Sequence, residues 1–195
     1  MRKLCLLLVP LIFSLIFAGS SKAQDKIEIF GGYSYLRPTV GLSEAIVCPV
    51  GTLPPCPVVT TTTHPNLNGW EFSGSFNKNG WIGLTADFSG HYGTTQGVST
   101  HLQTFLFGPQ VRFPAKVSPF AHVLFGGAHE FIGVAPAVLN SGGSNAFAAA
   151  VGAGIDIKVA PFVSFRPIQI DYLLTRFGSA TQSQPRVSAG VVLRF

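Results

Sequence analysis

The sequence predicts an all-β fold, eight antiparallel strands wound up and down into a transmembrane β-barrel. Three observations carry this. Apolar residues recur at alternate positions through eight segments, which is the side-chain period of a strand. Tight connections alternate with longer ones, as in barrels with short turns at one end and long loops at the other. Finally, 47% of the 195 residues are apolar and only 11% are charged, less than half the roughly 25% charged residues of an average soluble domain. This composition excludes a disordered chain. It also argues against a nucleic-acid partner, whose binder would gather Lys and Arg on one face.

The N-terminus is expected to be a secretory signal peptide over residues 1–23, with the barrel domain over 24–195. Arg2 and Lys3 precede an apolar run from Leu4 to Ala18, and Ser21-Lys22-Ala23 offers a small-x-small cleavage site. A membrane anchor helix is the alternative. The run falls short of the roughly 20 residues that span a bilayer, and Pro10 interrupts it. Arg2, Lys3 and Lys22 leave with the signal, so ten basic residues face eight acidic ones in the remainder. The high isoelectric point is therefore partly an export signal and says little about partners.

The eight strands are expected at about 26–36, 67–77, 80–92, 99–113, 118–131, 145–158, 161–176 and 185–195. Trp70, Phe72 and Phe76 oppose Glu71, Ser73, Ser75 and Asn77 in the second. Ile82, Leu84, Ala86 and Phe88 alternate with Thr85, Asp87, Ser89 and His91 in the third. Phe105, Phe107, Val111 and Phe113 oppose Thr104, Gly108, Gln110 and Arg112. In the last, Val187, Ala189, Val191, Leu193 and Phe195 share one face. Lys78-Asn79-Gly80, Pro114-Ala115-Lys116-Val117 and Val159-Ala160 are the three tight connections, and Asn-Gly is a strong hairpin signal. The remaining four connections are read as longer, the first, about 37–66, by far the longest.

Two segments resist a single phase. In 161–176, Val163 and Phe165 share a face, but after Pro167 the apolar set becomes Ile168, Ile170, Tyr172 and Leu174. One extra residue at Arg166-Pro167, a β-bulge, restores the pattern. In 118–131, Phe120 and Leu124 fall opposite Val123 and Phe125.

Alternation alone leaves two barrels open. A soluble, lipocalin-like barrel turns its apolar face inward to bind an apolar ligand, whereas a membrane barrel turns it to lipid. The charges favour the second. The polar faces carry Glu28, Glu71, Asp87, Glu130, Asp156 and Asp171 against Arg112, Arg166, Arg176, Arg186 and Arg194, with no Lys in mid-strand. Arginine suits enclosed ion pairs, so this set reads as a polar network lining the lumen. Aromatic positions agree. Phe76, Trp81, Phe113, Phe162 and Phe195 fall near the tight-turn ends, and Tyr33, Tyr35, Trp70, Tyr92, Phe131, Tyr172 and Phe177 near the other. Two aromatic belts flanking an aliphatic band mark a membrane barrel.

Several stretches resemble the outer membrane protein β-barrel domain family, the small OmpA/OmpX-like, porin-type barrels of Gram-negative bacteria. They are Phe30-Gly-Gly-Tyr-Ser-Tyr-Leu-Arg37, Ala86-Asp-Phe-Ser-Gly-His-Tyr-Gly93, Thr104-Phe-Leu-Phe-Gly-Pro109, Pro119-Phe-Ala-His122, Phe125-Gly-Gly-Ala128 and Arg166 through Gly178. Val191, Leu193 and Phe195 look like the family's C-terminal assembly signal. The resemblance implies residence in the outer membrane, contact with its lipid, and insertion by the barrel assembly machinery through the last strand. The long Cys-containing first loop is not part of that pattern.

Cys48 and Cys56 are expected to pair in a disulfide, since an exported chain meets an oxidising compartment. A metal site is the alternative, though His64 alone supplies no further ligand at suitable spacing. No cofactor motif is present. Asp87, Ser89 and His91 share one strand face, but same-face neighbours lie about 6.6 Å apart, too far for a catalytic triad. The sequence therefore points to no enzymatic activity. An eight-stranded barrel is only just wide enough for its own side chains, so an occluded lumen is expected, with a narrow porin-like channel as the alternative. The external loops, including the Thr60–Thr63 run and Ser141-Gly-Gly-Ser, are the places where a partner would bind.

Overall fold

The computed structural model describes residues 26–38, 40–45, 58–78, 81–95, 98–134, 142–177 and 180–195. The expected signal peptide and the two cysteines lie outside these residues. Ten strands are present: β1 (Ile27–Leu36), β2 (Val40–Ala45), β3 (Val58–Thr63), β4 (Leu67–Asn77), β5 (Ile82–Thr95), β6 (Val98–Arg112), β7 (Val117–Val134), β8 (Gly142–Ala160), β9 (Val163–Phe177) and β10 (Ala180–Arg194). Eight of them close a barrel in the order β1, β10, β9, β8, β7, β6, β5, β4, every neighbour antiparallel. β2 and β3 pair separately as a hairpin inserted between β1 and β4.

The barrel matches the eight expected strands, but its long-connection end departs from the reading. Pairing runs to Thr95↔Val98 between β5 and β6 and to Phe177↔Ala180 between β9 and β10. Two of the expected long connections are thus mostly strand, because polar residues such as Thr94 and Ser99 pair in a ladder as readily as apolar ones. The first long connection is also partly strand: Thr60–Thr63, read as loop, lies in β3.

The bulge is where the phase change placed it. Asp156 on β8 faces both Arg166 and Pro167 on β9, between the pairs Ile155↔Ile168 and Ile157↔Phe165. Ser164 and Arg166 are buried before it, and Gln169, Asp171, Leu173 and Thr175 after it. Pro167, which cannot donate to a ladder, sits outward at the irregularity.

Polarity is inverted relative to a water-soluble domain. Leu84, Phe105, Phe107, Val111, Phe125, Val151 and Ile170 are all more than half exposed. Among the described residues, nine charged side chains are buried: Glu28, Glu71, Asp87, Arg112, Asp156, Arg166, Asp171, Arg186 and Arg194. β7 is apolar on both sides. Phe120 and Leu124 enter the interior, while Val123 and Phe125 face out.

Candidate functional site: the lumen

Strand alternation delivers one row of inward side chains from each barrel strand, and near the middle those rows meet in a single hydrogen-bonded network. It is anchored at the end bearing the termini and tight turns. There Arg112 Nη1 donates to Glu28 Oε1, and Arg194 Nε lies 2.9 Å from the same oxygen. Arg194 Nη2 reaches Asp156 Oδ2 at 2.8 Å. Arg166 grips Asp156 with both Nε, at 2.7 Å, and Nη2, at 3.2 Å, a forked geometry that Lys cannot supply. The bulge makes this possible, since it turns Arg166 inward directly opposite Asp156. The Arg166 guanidinium also lies 4.3 Å from the Phe30 ring centroid and 4.0 Å from that of Phe120.

Gln169 joins this cluster to a second one. It accepts from Arg166 Nη1 at 2.6 Å and donates through Nε2 to Glu71 at 2.7 Å and Asp171 at 2.8 Å. Arg186, with no exposed surface, is the hub. Its Nη2 lies 2.6 Å from Asp171 Oδ2, its Nη1 2.9 Å from Asp87 Oδ1, and its Nε 3.6 Å from Glu71 Oε2. His122 Nε2–H donates to Asp171 Oδ1 at 2.9 Å. Ser188 donates to Glu71 Oε2 at 2.5 Å. Ser34 follows, 2.9 Å from both Ser188 Oγ and His91 Nε2.

Each of the eight barrel strands contributes to this network. Close backbone approach supports it at Gly152, where a Cβ would stand 1.7 Å from Asp171 Oδ1. The missing side chain leaves room for Asp171 to reach His122.

Two members of the expected lumen set stand apart from this network. Arg176 is exposed on the outer face. After the bulge the odd-numbered residues of β9 point inward, so Arg176 follows Ile170, Tyr172 and Leu174 outward. Glu130 is half-buried on the inward side of β7 and joins none of the ion pairs found among the described residues.

What the sequence reading missed is an apolar cluster inside the lumen, interleaved with buried polar residues such as His91, Thr175 and Gln184. Leu36, Leu67, Leu102, Leu106, Leu124, Ala128, Ala148, Ala150 and Leu173 form one buried cluster, on the long-connection side of the ion pairs. The alternation itself holds the signal. Leu106 lies in phase with Thr104 and Gln110, and Leu173 in phase with Asp171 and Thr175. Small inward residues on β8, Ala148 and Ala150, oppose these leucines: Ala150 pairs with both Leu124 and Leu173.

Asp87, Ser89 and His91, which share a face, are not bonded to one another: Arg186 Nη1 donates to both Asp87 and Ser89, Ser89 also meets Thr104, and His91 meets Ser34. His91 Nδ1, where the carboxylate of a triad would sit, has no hydrogen-bond partner among the described residues. Among those residues, no three His, Cys, Asp or Glu side chains converge on a metal position.

The outer surface shows the aromatic residues in more detail. Tyr33, Trp70, Phe76, Trp81, Tyr92, Phe113, Phe162 and Tyr172 are exposed, and Tyr35 is half-exposed. Tyr33 and Tyr35 hydroxyls donate to Asn68 and Asn66, each at 2.5 Å. The outer face between the belts is mixed rather than purely aliphatic: Phe72, Phe88, Phe105, Phe107 and Phe125 are exposed alongside Leu84, Val111, Val123, Val151 and Ile170. Only aromatics with a polar tip need the interface, and Phe has none. Val191 and Leu193 are exposed on this same outer face, and the Phe195 backbone pairs with Ile27 at the β1–β10 seam.

No protein-family model and no curated protein matches the sequence. Solved structures do match the fold. Neisserial surface protein A aligns with a TM-score of 0.61 at 12% identity, over 87% of this chain and 97% of that one. Ail, the attachment invasion locus protein of Yersinia pestis, aligns at 0.54 with 15% identity, over 88% and 100%. The outer membrane protein OprG of Pseudomonas aeruginosa aligns at 0.54 with 9% identity, over 88% and 96%. The chain therefore has the fold of the small outer membrane β-barrels, the fold that the sequence resemblance implies.

Proposed function

We propose that this protein is an integral outer-membrane β-barrel with a structural or surface-interaction role, its lumen closed to diffusion. The inverted polarity carries the reading. A belt of exposed Phe, Leu, Val and Ile surrounds a buried set of carboxylates and arginines, an arrangement that is stable where the surrounding solvent is hydrocarbon. Isolated exposed apolar residues are normal on a soluble protein, but a continuous girdle of this extent is not. The termini and tight turns face the periplasm, and the β2–β3 hairpin faces outward. The last strand, with Val191, Leu193 and Phe195, is the segment offered to the assembly machinery.

Two layers support closure. Arg186 and its carboxylates fill one level of the lumen, and Leu124 and Leu173, neither with any exposed surface, fill the next. An eight-stranded barrel leaves little room beyond its own side chains. Function then resides in what the barrel presents outside the membrane, on a rigid scaffold. Planar-bilayer recording tests closure: the purified barrel gives no steady ohmic steps, and reproducible steps would overturn the occluded lumen in favour of a narrow channel.

A further inference from the structure

The charges enclosed in the lumen do not balance. Among the described residues, the guanidiniums of Arg112, Arg166, Arg186 and Arg194 are buried with the carboxyl groups of Glu28, Glu71, Asp87, Asp156 and Asp171. Three of the arginines share Glu28 and Asp156 near the termini. Arg186 alone faces the other three acids. Fully ionised, the set carries one uncompensated negative charge inside a wall whose outer face meets hydrocarbon. A group in such surroundings takes up a proton rather than keep the charge.

The geometry places that proton. Arg186 donates to Asp87 through Nη1 and to Asp171 through Nε, while its Nε stands 3.6 Å from Glu71. The closer donors to Glu71 are neutral, Gln169 Nε2 at 2.7 Å and Ser188 Oγ at 2.5 Å. Glu71 and Asp87 lie on adjoining strands, opposite Ser89 and Ser73 respectively, which makes them diagonal neighbours on one inward face. Their carboxyl groups are close enough for a hydrogen bond. Ionised carboxylates only accept, so that bond needs a proton between them.

Histidine is the other place where a positive charge could sit. His122 donates through Nε2 to Asp171, yet its Nδ1 has no partner among the described residues. An imidazolium there would bury an unmet N–H. His91 stands the same way, with Nε2 on Ser34 and Nδ1 unmet. β1, β6 and β8 meet the cluster through Ser34, Thr104 and Gly152, none of them titratable. Arg166 reaches it through Gln169.

We propose that Asp87 and Glu71 share one proton at neutral pH, which makes the lumen network neutral as a whole and the barrel sensitive to alkali. The inference rests on the membrane reading above. In the unfolded chain both carboxyl groups are ionised above about pH 6, so the folded barrel holds one proton more. Above about pH 7.5, where histidine is neutral in the unfolded chain, the folding constant falls about tenfold per pH unit until the pair releases its proton.

Infrared spectroscopy of the full barrel, folded into phosphatidylcholine vesicles at about pH 7.5, tests the proposal. The wild type shows the C=O stretch of a neutral carboxyl group, shifted when folding is carried out in D2O. Glu71→Gln and Asp87→Asn each remove that band and flatten the alkaline fall in the folding constant. Glu130→Gln, outside the network, keeps both. A folded wild type without the neutral-carboxyl band, or a band that survives both variants, would overturn the proposal. If either variant fails to fold, the wild-type spectrum and its pH dependence still decide. A heat-modifiable barrel that lacks the band defeats this inference alone, whereas a wild-type chain that never folds into the vesicles defeats the membrane reading.

Discussion

Arg186 on β10 donates to Asp87 on β5 at 2.9 Å, across 99 positions of sequence and the width of the barrel. The two strands are not neighbours in the sheet, so this bond ties opposite walls through the lumen. Asp171 and Glu71 meet the same guanidinium. The network therefore acts as an internal crosslink that the backbone ladder cannot supply.

Removing the hub leaves three carboxylates buried without their shared cation. Arg186→Met is expected to destabilise the barrel by about 3–5 kcal/mol. Asp87→Asn, which keeps an acceptor oxygen, costs less, about 1–3 kcal/mol. Urea unfolding in lipid vesicles, followed by tryptophan fluorescence, measures both.

Gly152 sits where a side chain would strike Asp171. The Asp171 carboxylate is held by Arg186, His122 and Gln169 and cannot retreat cheaply. Gly152→Ala is expected to cost about 1–3 kcal/mol, the range for overpacking a well-filled interior. The same unfolding experiment reads it. Replacing the neighbouring Ala153, which faces out, with Val leaves stability nearly unchanged.

The leucine cluster of the lumen is expected to behave as a packed core. Leu173→Ala removes a fully buried side chain and costs about 2–5 kcal/mol. If instead that cluster were solvated, the substitution would be almost neutral.

Most of the fold was legible because alternation and the phase change at Pro167 are local signals. Deleting Pro167 tests the latter: with the extra residue gone, plain alternation still turns Arg166, Gln169 and Asp171 inward and Ile168 and Ile170 outward, so the heat-modifiable band is retained on gels, and its loss would contradict the bulge. The ion-pair partners were less legible. That Arg186 meets Asp87 depends on the barrel closing, which sets strand stagger, and no spacing along the chain encodes it. Arg176 shows that charge alone does not mark an inward position, since the phase after the bulge turns it out with Ile170, Tyr172 and Leu174. The leucine layer was missed for the opposite reason. Leu106 and Leu173 are in phase with polar neighbours, and an apolar side chain at an inward position carries no local mark that separates it from one facing lipid. The end of β5 and the start of β10 extend beyond the reading because Thr94, Thr95 and Thr181-Gln182-Ser183-Gln184 carry no clear apolar alternation.

The central claim is that the girdle holding Phe107 meets lipid. The most direct measurement compares Phe107→Arg, in mid-band, with Phe113→Arg at the rim, by equilibrium folding into vesicles. A lipid-facing barrel predicts a cost of about 2–4 kcal/mol for the first and about 0–1 kcal/mol for the second. Equal and negligible costs at both positions, in a chain that folds in buffer without lipid or detergent, would contradict the account.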